Sequence, residues 1–474
     1  MVRSISVFTL LFFCLTSWSQ SNVYTLEQCI QVGLENNISL NQNALDIERN
    51  EANLLQSKAS LLPSLNASGS HGYNWGQTID PFTNQFATNR IQSNSFGIGS
   101  SVTLFNGMVL QNRIKQSELN LRIAELGLQA NENAIALAIA NAFLSVLFNQ
   151  ELNAANLANL EASQKQLARV QLLVEAGQVP EADLYQIQAQ VAQDESRVIT
   201  SENNITISKL NLVQLIQLPE ENRANFSVAT PQDAAPEFTL PNKESIINYA
   251  VSNFPEVKSA ELGIANAEIG YKIAQGGRLP RLAASFNYGS GFSGARQIPI
   301  GDPTFSEQII GAVEGTNTPV FTLSPNFEDF ETVPFFDQLE TNVNRSLFFS
   351  LNIPIFNGFS NRTNIQLAEI NQKNAELNVL NVKNQLQQTV ESAYADASAG
   401  YKTYQAADLS LKAQEEAFKY AKIRFEEQAI NGVDFAQARS LRDAAIAEKI
   451  RSQYDYIFRL KILEFYQGKT ISLN

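Results

Sequence analysis

The chain has 474 residues and a formal net charge of −13, and no stretch of it forms a basic stripe. Because nucleic-acid binding depends on Lys and Arg that neutralise phosphates, this composition excludes nucleic acid as a partner. His71 is the only histidine, which excludes a histidine-based catalytic triad and a multi-histidine metal site within one chain. We therefore expect no catalytic residues, no cofactor and no metal.

Residues 1–19 have the pattern of a secretory signal peptide. Arg3 is the short positive region, residues 7–15 are apolar, and Ser17-Trp18-Ser19 offers small residues for cleavage. The apolar stretch is shorter than the roughly 20 residues that a membrane-spanning helix needs. We therefore expect the protein to be exported.

The two cysteines have different expected roles. Cys14 lies in the expected signal peptide. It could instead be a lipid-attachment cysteine, but Phe13 precedes it where such a site requires a small residue. Cys29 has no partner for a disulfide in the mature chain and is expected to be a buried helix residue. No run of 18 apolar residues follows the signal, so we expect any membrane insertion to use β-strands or a lipid tail.

The first predicted element of the mature chain is a helix from about Thr25 to Ser60, with Thr25 and Gln28 forming a capping box. A β-hairpin follows. The proline-free stretch between Gly107 and Gly177 then predicts a helix of about 65 residues, roughly 100 Å long. After a tight turn, a helix of about half that length is expected.

The same order of elements recurs in the second half of the chain. Phe105-Asn106-Gly107 matches Phe356-Asn357-Gly358 at an offset of 251 residues, which continues without a gap to Asp183 and Asp434. Each matching block includes a glycine or a proline that ends a regular element. This argues against a chance resemblance between Ala- and Gln-rich helices. The sequence therefore predicts an internal duplication.

The duplication sets the expected domain boundaries. Earlier in the repeat, Pro63 matches Pro280 at an offset of 217 residues. We assign residues 20–242 to a first structural repeat that ends in a linker, and residues 243–474 to a second. The two offsets differ by 34 residues, and we assign this insertion to a long loop at 294–344 that contains five prolines.

Both predicted hairpins alternate apolar side chains with small or polar ones. This period of two is typical of a barrel strand that faces lipid on one side and a wet lumen on the other, or of a half-buried strand in a soluble protein. Four strands cannot close a membrane barrel, and lipid does not tolerate unpaired strand edges, so the first interpretation requires an oligomer. The positions on the apolar face are Leu65, Ala67, His71, Tyr73, Trp75, Phe96, Ile98, Val102, Leu104, Leu282, Ala284, Phe286, Tyr288, Leu347, Phe349, Leu351, Ile353 and Ile355.

With these features the chain resembles the outer membrane efflux (TolC-like) family over its whole mature length. The resemblance rests on the duplicated order of elements, on the strand-end motif Phe-Asn-Gly in both copies, and on the run Val-Glu-Ala-Gly-Gln-Val-Pro-Glu-Ala-Asp at 174–183. It implies a mainly α fold with a small β part, in which duplicated long helices form an α-barrel. Four strands per chain would then contribute to a trimeric, twelve-stranded outer-membrane β-barrel, with loop 294–344 outside the cell.

The resemblance also implies a function and partners. It implies an exit duct of a tripartite efflux or type I secretion system, in the outer membrane with its helices in the periplasm. The duct would be a homotrimer in outer membrane lipid, docked on a periplasmic membrane-fusion adaptor and an inner-membrane RND or ABC-type transporter. A periplasmic coiled-coil adaptor or scaffold protein is the alternative, since it would share export and long helical hairpins.

The implied periplasmic entrance and adaptor contact lie at the two turns between long and short helices. Asp183 and Asp434 have two open interpretations, an acidic ring that selects cations or carboxylates that stabilise helix N-termini. The second copy departs from the first, with Gln428 in the place of Gly177. The implied entrance residues are Val174, Glu175, Ala176, Gly177, Gln178, Val179, Asp183, Glu426, Glu427, Gln428 and Asp434, and the strand-end motif comprises Phe105, Asn106, Gly107, Phe356, Asn357 and Gly358.

Overall fold

The computed structural model describes residues 22–473 apart from 80, 81, 83, 85, 88, 89, 224, 231–239 and 428. The expected signal peptide, residues 224 and 231–239 of the expected linker, and Gln428 therefore lie outside the described residues. The helices are α1 (Leu26–Asn36), α2 (Ile38–Ala59), α3 (Val109–Glu175), α4 (Glu181–Leu215), α5 (Glu220–Arg223), α6 (Lys243–Asn253), α7 (Pro255–Gly276), α8 (Phe335–Thr341), α9 (Ser360–Glu426) and α10 (Gly432–Tyr466).

The strands comprise four long ones and several short ones. They are β1 (Asn22–Tyr24), β2 (Ser64–Asn74), β3 (Thr78–Ile79), β4 (Phe86–Ala87), β5 (Ile91–Phe105), β6 (Phe226–Val228), β7 (Arg281–Ser293), β8 (Gln297–Ile300), β9 (Thr304–Ala312), β10 (Pro319–Asn326), β11 (Asp329–Thr332) and β12 (Asn344–Asn352).

The long helices repeat in length as well as in order. Helices α3 and α9 have 67 residues each, and α4 and α10 have 35 each. All four boundaries of α9 and α10 follow from those of α3 and α4 by the same offset of 251 residues. A helix of 67 residues measures roughly 100 Å at 1.5 Å per residue, in agreement with the predicted long helices.

The single helix predicted over Thr25–Ser60 is wrong, because the chain breaks at Asn37. There the backbone is extended, and the Asn37 side chain caps α2 by accepting a hydrogen bond from the Ser39 N–H at 2.9 Å. The second copy breaks at the equivalent residue, Phe254, because Pro255 disfavours a helical conformation before it and is well suited to the first helical position. The capping box of Thr25 and Gln28 is present.

The chain divides into two compact units, and each repeat contributes to both. Among the described residues, the helical unit comprises those within 22–50, 121–264 and 374–473, and the strand unit comprises those within 51–120 and 265–373. The repeat boundaries at 242 and 243 therefore do not coincide with the units, and the assignment of residues 20–242 and 243–474 to structural repeats stays a prediction.

The core of the helical unit is built around the middle of α3. Ile139, Phe143 and Leu147 lie on one face at intervals of four residues and are almost fully buried. In the described part of the chain, α3 is also the one helix with a window apolar enough to cross a membrane, at a mean hydropathy of 1.5. Of that window 39 % is buried inside the structure.

Cys29 belongs to the same core. Its thiol is fully buried, and burial, with the nearby Glu27 carboxylate, raises its pKa from the ordinary 9.0 to about 12. Between pH 9 and pH 12 the Cys29 thiol therefore keeps its proton in the folded protein and loses it in the unfolded chain. Its contribution to the free energy of unfolding is complete below pH 9 and falls as the pH rises towards 12.

We expect the folded protein at pH 8 to resist labelling of Cys29 by a maleimide, because the reactive species is an exposed thiolate. Labelling is expected to become complete in guanidinium chloride, as measured by intact mass. Rapid labelling of the folded protein would contradict the burial of this side chain.

The strand unit contains one antiparallel sheet of four long strands in the order β12-β7-β5-β2. Directly paired residues share a face, so the register decides the sidedness of the sheet. One face is apolar, with Leu65, Ala67, Tyr73, Phe96, Ile98, Val102, Phe286, Tyr288, Leu347, Phe349 and Leu351, and the other carries mainly Ser, Asn and Gly. The apolar face of the predicted hairpins is thereby confirmed.

Four of the predicted apolar positions are wrong. Strand β2 ends at Asn74, so Trp75 lies beyond it. The register shifts between Thr103 and Phe105, so that Phe105 rather than Leu104 pairs with Leu282. Strand β12 ends at Asn352, so Ile353 and Ile355 lie beyond it.

Loop 294–344 is not an irregular loop. Strand β8 pairs with β11, and β9 pairs with β10, so that the segment forms a two-stranded arm closed by helix α8. The five prolines suggested a loop, but Pro319 begins β10 and Pro334 is the N-cap of α8, positions that tolerate proline. Gln338 of α8 anchors the arm to the sheet, accepting from the Ser293 N–H at 3.0 Å and donating to its carbonyl at 2.9 Å.

Candidate functional site at the helix tips

The first tip turn, residues 174–183, joins α3 to α4 through a Schellman motif. The Gln178 N–H donates to the Leu173 carbonyl at 2.8 Å, and the Gly177 N–H donates to the Val174 carbonyl at 2.9 Å. Gly177 has a φ of +70°, which a residue with a side chain adopts only with strain. The glycine at this position therefore ends the long helix and allows the chain to reverse within a few residues.

The second tip turn, residues 425–434, keeps the same closing bond without that glycine. The Ala429 N–H donates to the Arg424 carbonyl at 2.7 Å. Gln428, the counterpart of Gly177, lies outside the described residues. Instead, Asn431 caps α10 by accepting from the Asp434 N–H at 2.9 Å, whereas Pro180 makes no side-chain cap for α4.

Asp183 and Asp434 both lie in the first turn of their helices. Carboxylates there interact favourably with the positive end of the helix dipole. Asp183 is half-buried and Asp434 is exposed, so the two equivalent residues have different surroundings.

The two tip turns meet around one pocket of about 330 Å³. Of the predicted entrance residues, Gln178, Val179, Asp183 and Glu426 line it. The others, Val174, Glu175, Ala176, Gly177, Glu427 and Asp434, lie on the same turns outside its wall. Arg169 of α3 and Glu426 of α9 form an ion pair at 3.3 Å beside the pocket, and Phe425 stacks on Phe435 with ring centroids 4.6 Å apart.

A buried ion network above the tips was not predicted. Asp194 of α4 is 1 % exposed, and its carboxylate accepts from the Ser163 hydroxyl at 2.7 Å and from Arg439 Nη2 at 2.8 Å. The other carboxylate oxygen accepts from Gln190 Nε2 at 3.0 Å. Arg439 Nη2 also donates to the Asn159 carbonyl at 2.6 Å. Asp194 and Arg439 thus satisfy each other's buried charge and tie α3, α4 and α10 together.

Asp443 extends this network along α10. It accepts from Arg442 Nη2 at 2.6 Å and lies 3.5 Å from Arg197 Nη1 of α4. Arg442 also donates to the Asn159 side chain at 2.7 Å, and its guanidinium lies 4.1 Å from the centre of the Phe418 ring of α9. The network therefore reaches all four long helical segments.

Sequence spacing contained only a weak signal for this network. Asp194 and Arg197, like Arg439 and Asp443, are spaced as ordinary surface ion pairs on one helix. The repeat gives no further signal, because no charged residue of the network has a residue of the same charge at the equivalent position of the other copy. Ala445 is equivalent to Asp194, and Ala192 is equivalent to Asp443. Only the packing of the helices reveals that Asp194 and Arg439 are buried, whereas Arg197 and Arg442 remain partly exposed.

The strand-end motif forms a repeated turn in the strand unit. Gly107 and Met108 both have positive φ, +67° and +64°, and the equivalent Gly358 and Phe359 have +62° and +65°. Asn106 caps the helix that follows, accepting from the Leu110 N–H at 3.4 Å, and Asn357 accepts from the Asn361 N–H at 3.5 Å. Phe105 and Phe356 remain exposed on the surface of the unit.

The two motif glycines differ in their surroundings. At Gly107 a Cβ atom would overlap the Gly276 carbonyl oxygen and lie 2.9 Å from Leu279 Cβ, whereas at Gly358 it would meet nothing within 4 Å. The first copy therefore needs glycine for space as well as for backbone conformation.

Among the residues that the structure describes, no three His, Cys, Asp or Glu side chains are grouped to hold a metal ion. The side chains at the tips can attract or exclude charged solutes and can contact another protein, and they present no nucleophile paired with a base.

Comparisons with known proteins identify the family and the fold. The family model described as outer membrane efflux protein matches residues 29–216 and 246–468. The comparison with curated protein sequences yields no match.

Solved channel structures share the fold at low sequence identity. CusC, whose structures were described in terms of folding and transmembrane channel formation, is 15 % identical, with 94 % of this chain and 92 % of that chain covered and a TM-score of 0.72. The outer membrane channel CmeC of Campylobacter jejuni is 15 % identical (96 % and 88 % covered, TM-score 0.71). The outer membrane protein VceC of Vibrio cholerae is 14 % identical (94 % and 97 % covered, TM-score 0.69).

These matches confirm the predicted fold class, mainly helical with a small β part and a duplicated long-helix unit. The family matched here consists of outer membrane channels rather than enzymes. The chain belongs to the outer membrane efflux protein family and is an efflux channel protein of the outer membrane, with its helices in the periplasm.

Proposed function

We propose that three copies of this chain form the exit duct of a tripartite efflux or type I secretion system. The duct passively conducts small molecules or proteins from an inner-membrane pump across the periplasm and the outer membrane, and it carries out no catalysis. The observation that carries the proposal is the four-stranded sheet, which has one apolar face and two unpaired edges.

Direction and sidedness of the strands support ring closure. Three antiparallel steps separate β12 from β2, so these edge strands run in opposite directions. The β12 edge of one copy can therefore pair antiparallel with the β2 edge of the next, which removes every open edge from lipid. Three copies supply twelve strands, an even number within the range of membrane barrels. The exposed apolar face, with Phe349 and Leu351 64 % and 60 % exposed, then meets lipid, and the polar face lines the lumen.

The test of this assembly is disulfide crosslinking between edge strands. Ser346→Cys in β12 is combined with one cysteine at a time on the polar face of β2, at Ser64, Asn66, Ser68 or Ser70. We expect one or two of these pairs to form covalent trimers in outer membranes, because only residues in register lie close enough for a disulfide. The single Ser346→Cys protein is the control. Absence of crosslinks at every position, or recovery of the mature protein in the soluble periplasm, would contradict the duct and favour a soluble scaffold.

The tip turns are proposed as the periplasmic entrance and the adaptor contact. Both turns are exposed at the ends of α3 and α9, and the pocket between them combines Asp183 and Glu426 with Arg169. An adaptor that binds here would couple the duct to an RND or ABC-type transporter. The proposed contact comprises the eleven entrance residues named in the sequence analysis.

The double variant Asp183→Asn/Asp434→Asn is expected to lower the preference of the channel for cations, because it removes two carboxylates per chain from the entrance. Single-channel recordings in a salt gradient measure this preference, and dye accumulation in cells measures export. Glu195→Gln, an exposed carboxylate farther along α4, is the matched control. Unchanged selectivity together with unchanged export would assign both aspartates to helix stabilisation alone.

A further inference from the structure

The arm formed by β8, β9, β10 and β11 presents an apolar face that stays exposed among the residues that the structure describes. Residues opposite one another across β9 and β10 share a face, and one face carries Phe305, Ile309, Phe321 and Leu323, which are 65 %, 61 %, 51 % and 64 % exposed. The other face is polar and internally hydrogen-bonded, with Ser324 bonded to Gln308 at 2.9 Å and Asn326 to Ser306 at 2.7 Å. A two-stranded ribbon with an open apolar face is only marginally stable in water, so this face is suited to a partner.

A second uncovered apolar surface lies at the same end of the sheet. The connection between β2 and β5 carries Trp75, Ile79 and Phe86, which are 74 %, 53 % and 72 % exposed. Strand β2 enters this connection at Asn74, and the arm returns to the sheet at Asn344 of β12. The two surfaces therefore arise at opposite edges of one sheet, and within a chain they leave each other exposed.

We propose that the apolar face of the arm packs against the β2–β5 connection of the neighbouring copy, so that the arms form a collar around the mouth of the duct. The inference rests on the proposed ring, in which β12 of one copy lies beside β2 of the next at about 4.8 Å. That pairing brings the root of the arm next to the root of the neighbour's connection. The arm of each copy then contacts one neighbour, and its β2–β5 connection contacts the arm of the other neighbour. Such a head-to-tail contact is completed when the copies form a closed ring.

Charge favours this partner over the alternatives. Segment 294–344 contains eight acidic residues and one basic residue, Arg296, so anionic lipid headgroups repel it. Glu307 pairs with Leu323 within the apolar face, where it would be costly in hydrocarbon and would repel its own copy in a contact between two arms. Arg90 lies at the end of the β2–β5 connection, over the Tyr73 ring at 5.1 Å, and in the described part of the chain it forms no ion pair. Glu307 and Arg90 of adjacent copies can therefore complement each other and set the register of the contact.

The test is a disulfide between copies at the cell surface. The pair Ile309→Cys and Phe86→Cys is expected to yield covalent trimers on mild oxidation of intact cells, while Gln308→Cys with Phe86→Cys, which uses the polar face, is expected to yield about tenfold less. Glu307→Arg should abolish the crosslink, and Glu307→Arg with Arg90→Glu should restore it. Cys29 does not interfere, because it is buried.

The edge-strand crosslinks distinguish failure of the collar from failure of the ring. Trimers linked through β12 and β2 without any link between Ile309→Cys and Phe86→Cys would overturn the collar and leave the duct intact, whereas absence of both links would overturn the duct. Quenching of a Phe321→Trp variant by brominated lipid would assign the arm to the bilayer. A link within one chain, or to a protein of another mass, would equally overturn the proposal.

Discussion

The Asp194→Ala variant is expected to lose about 3–5 kcal/mol of stability in the helical unit, because it removes the carboxylate that binds Arg439 Nη2 at 2.8 Å. The carboxylate that remains near this buried guanidinium is that of Asp443, which lies 3.8 Å from Arg439 Nε. Arg439 is 6 % exposed, and its Nη2 atom would retain only the Asn159 carbonyl as an acceptor close by. Ser163 and Gln190 would lose their acceptor as well. The expected result is a lower guanidinium midpoint for loss of helical circular dichroism and faster proteolysis of α4.

The matched control is Glu195→Ala, which removes an exposed carboxylate one residue farther along the same helix. It is expected to change stability by less than about 0.5 kcal/mol. The double variant Asp194→Leu/Arg439→Met removes both charges and should recover much of the loss, because a buried ion pair contributes little beyond an apolar pair of similar volume. If Asp194→Ala behaves like Glu195→Ala, the network does not hold the helices together.

The Gly107→Ala variant is expected to cost about 2–5 kcal/mol, which combines the strain of a positive φ with overlap against backbone. The added Cβ would overlap the Gly276 carbonyl oxygen and crowd Leu279. Since that carbonyl belongs to the end of α7, it cannot rotate away as a flexible side chain could. We expect a large loss of folded protein in outer membranes and a lower melting temperature of the purified protein.

The duplication provides the control for this variant. Gly358 occupies the equivalent position with nearly the same φ but with open space around it, so Gly358→Ala should cost only the backbone strain of about 1–2 kcal/mol. Equal losses for the two variants would show that the close approach of Gly107 to Gly276 has no energetic consequence.

Local patterns determined the regular elements of this protein. Proline-free stretches bounded by Gly107 and Gly177 predicted the long helices, because only helix interiors exclude proline so consistently. Alternation at Leu347, Phe349 and Leu351 predicted a sheet with one apolar face, since side chains on a strand point to opposite sides in turn. The strand-end motif could be recognised because it is repeated at a constant offset.

Packing over long sequence distances decided the rest. Asp194 and Arg439 are each spaced from an opposite charge on their own helix as in a surface pair, and only the assembly of α3, α4 and α10 buries them. The regular arm at 294–344 escaped prediction because its five prolines suggested a loop. Pro299 and Pro325 nevertheless lie within strands, and Pro319 begins a strand. Composition alone cannot distinguish these positions from a loop. The sequence by itself thus determined the family, the duplication and the sidedness of the strands, because these are encoded by neighbours along the chain. Only the tertiary structure decided which charges are buried, which glycine has no room for a side chain and which apolar surfaces remain uncovered, because these depend on residues that are remote in sequence and adjacent in space.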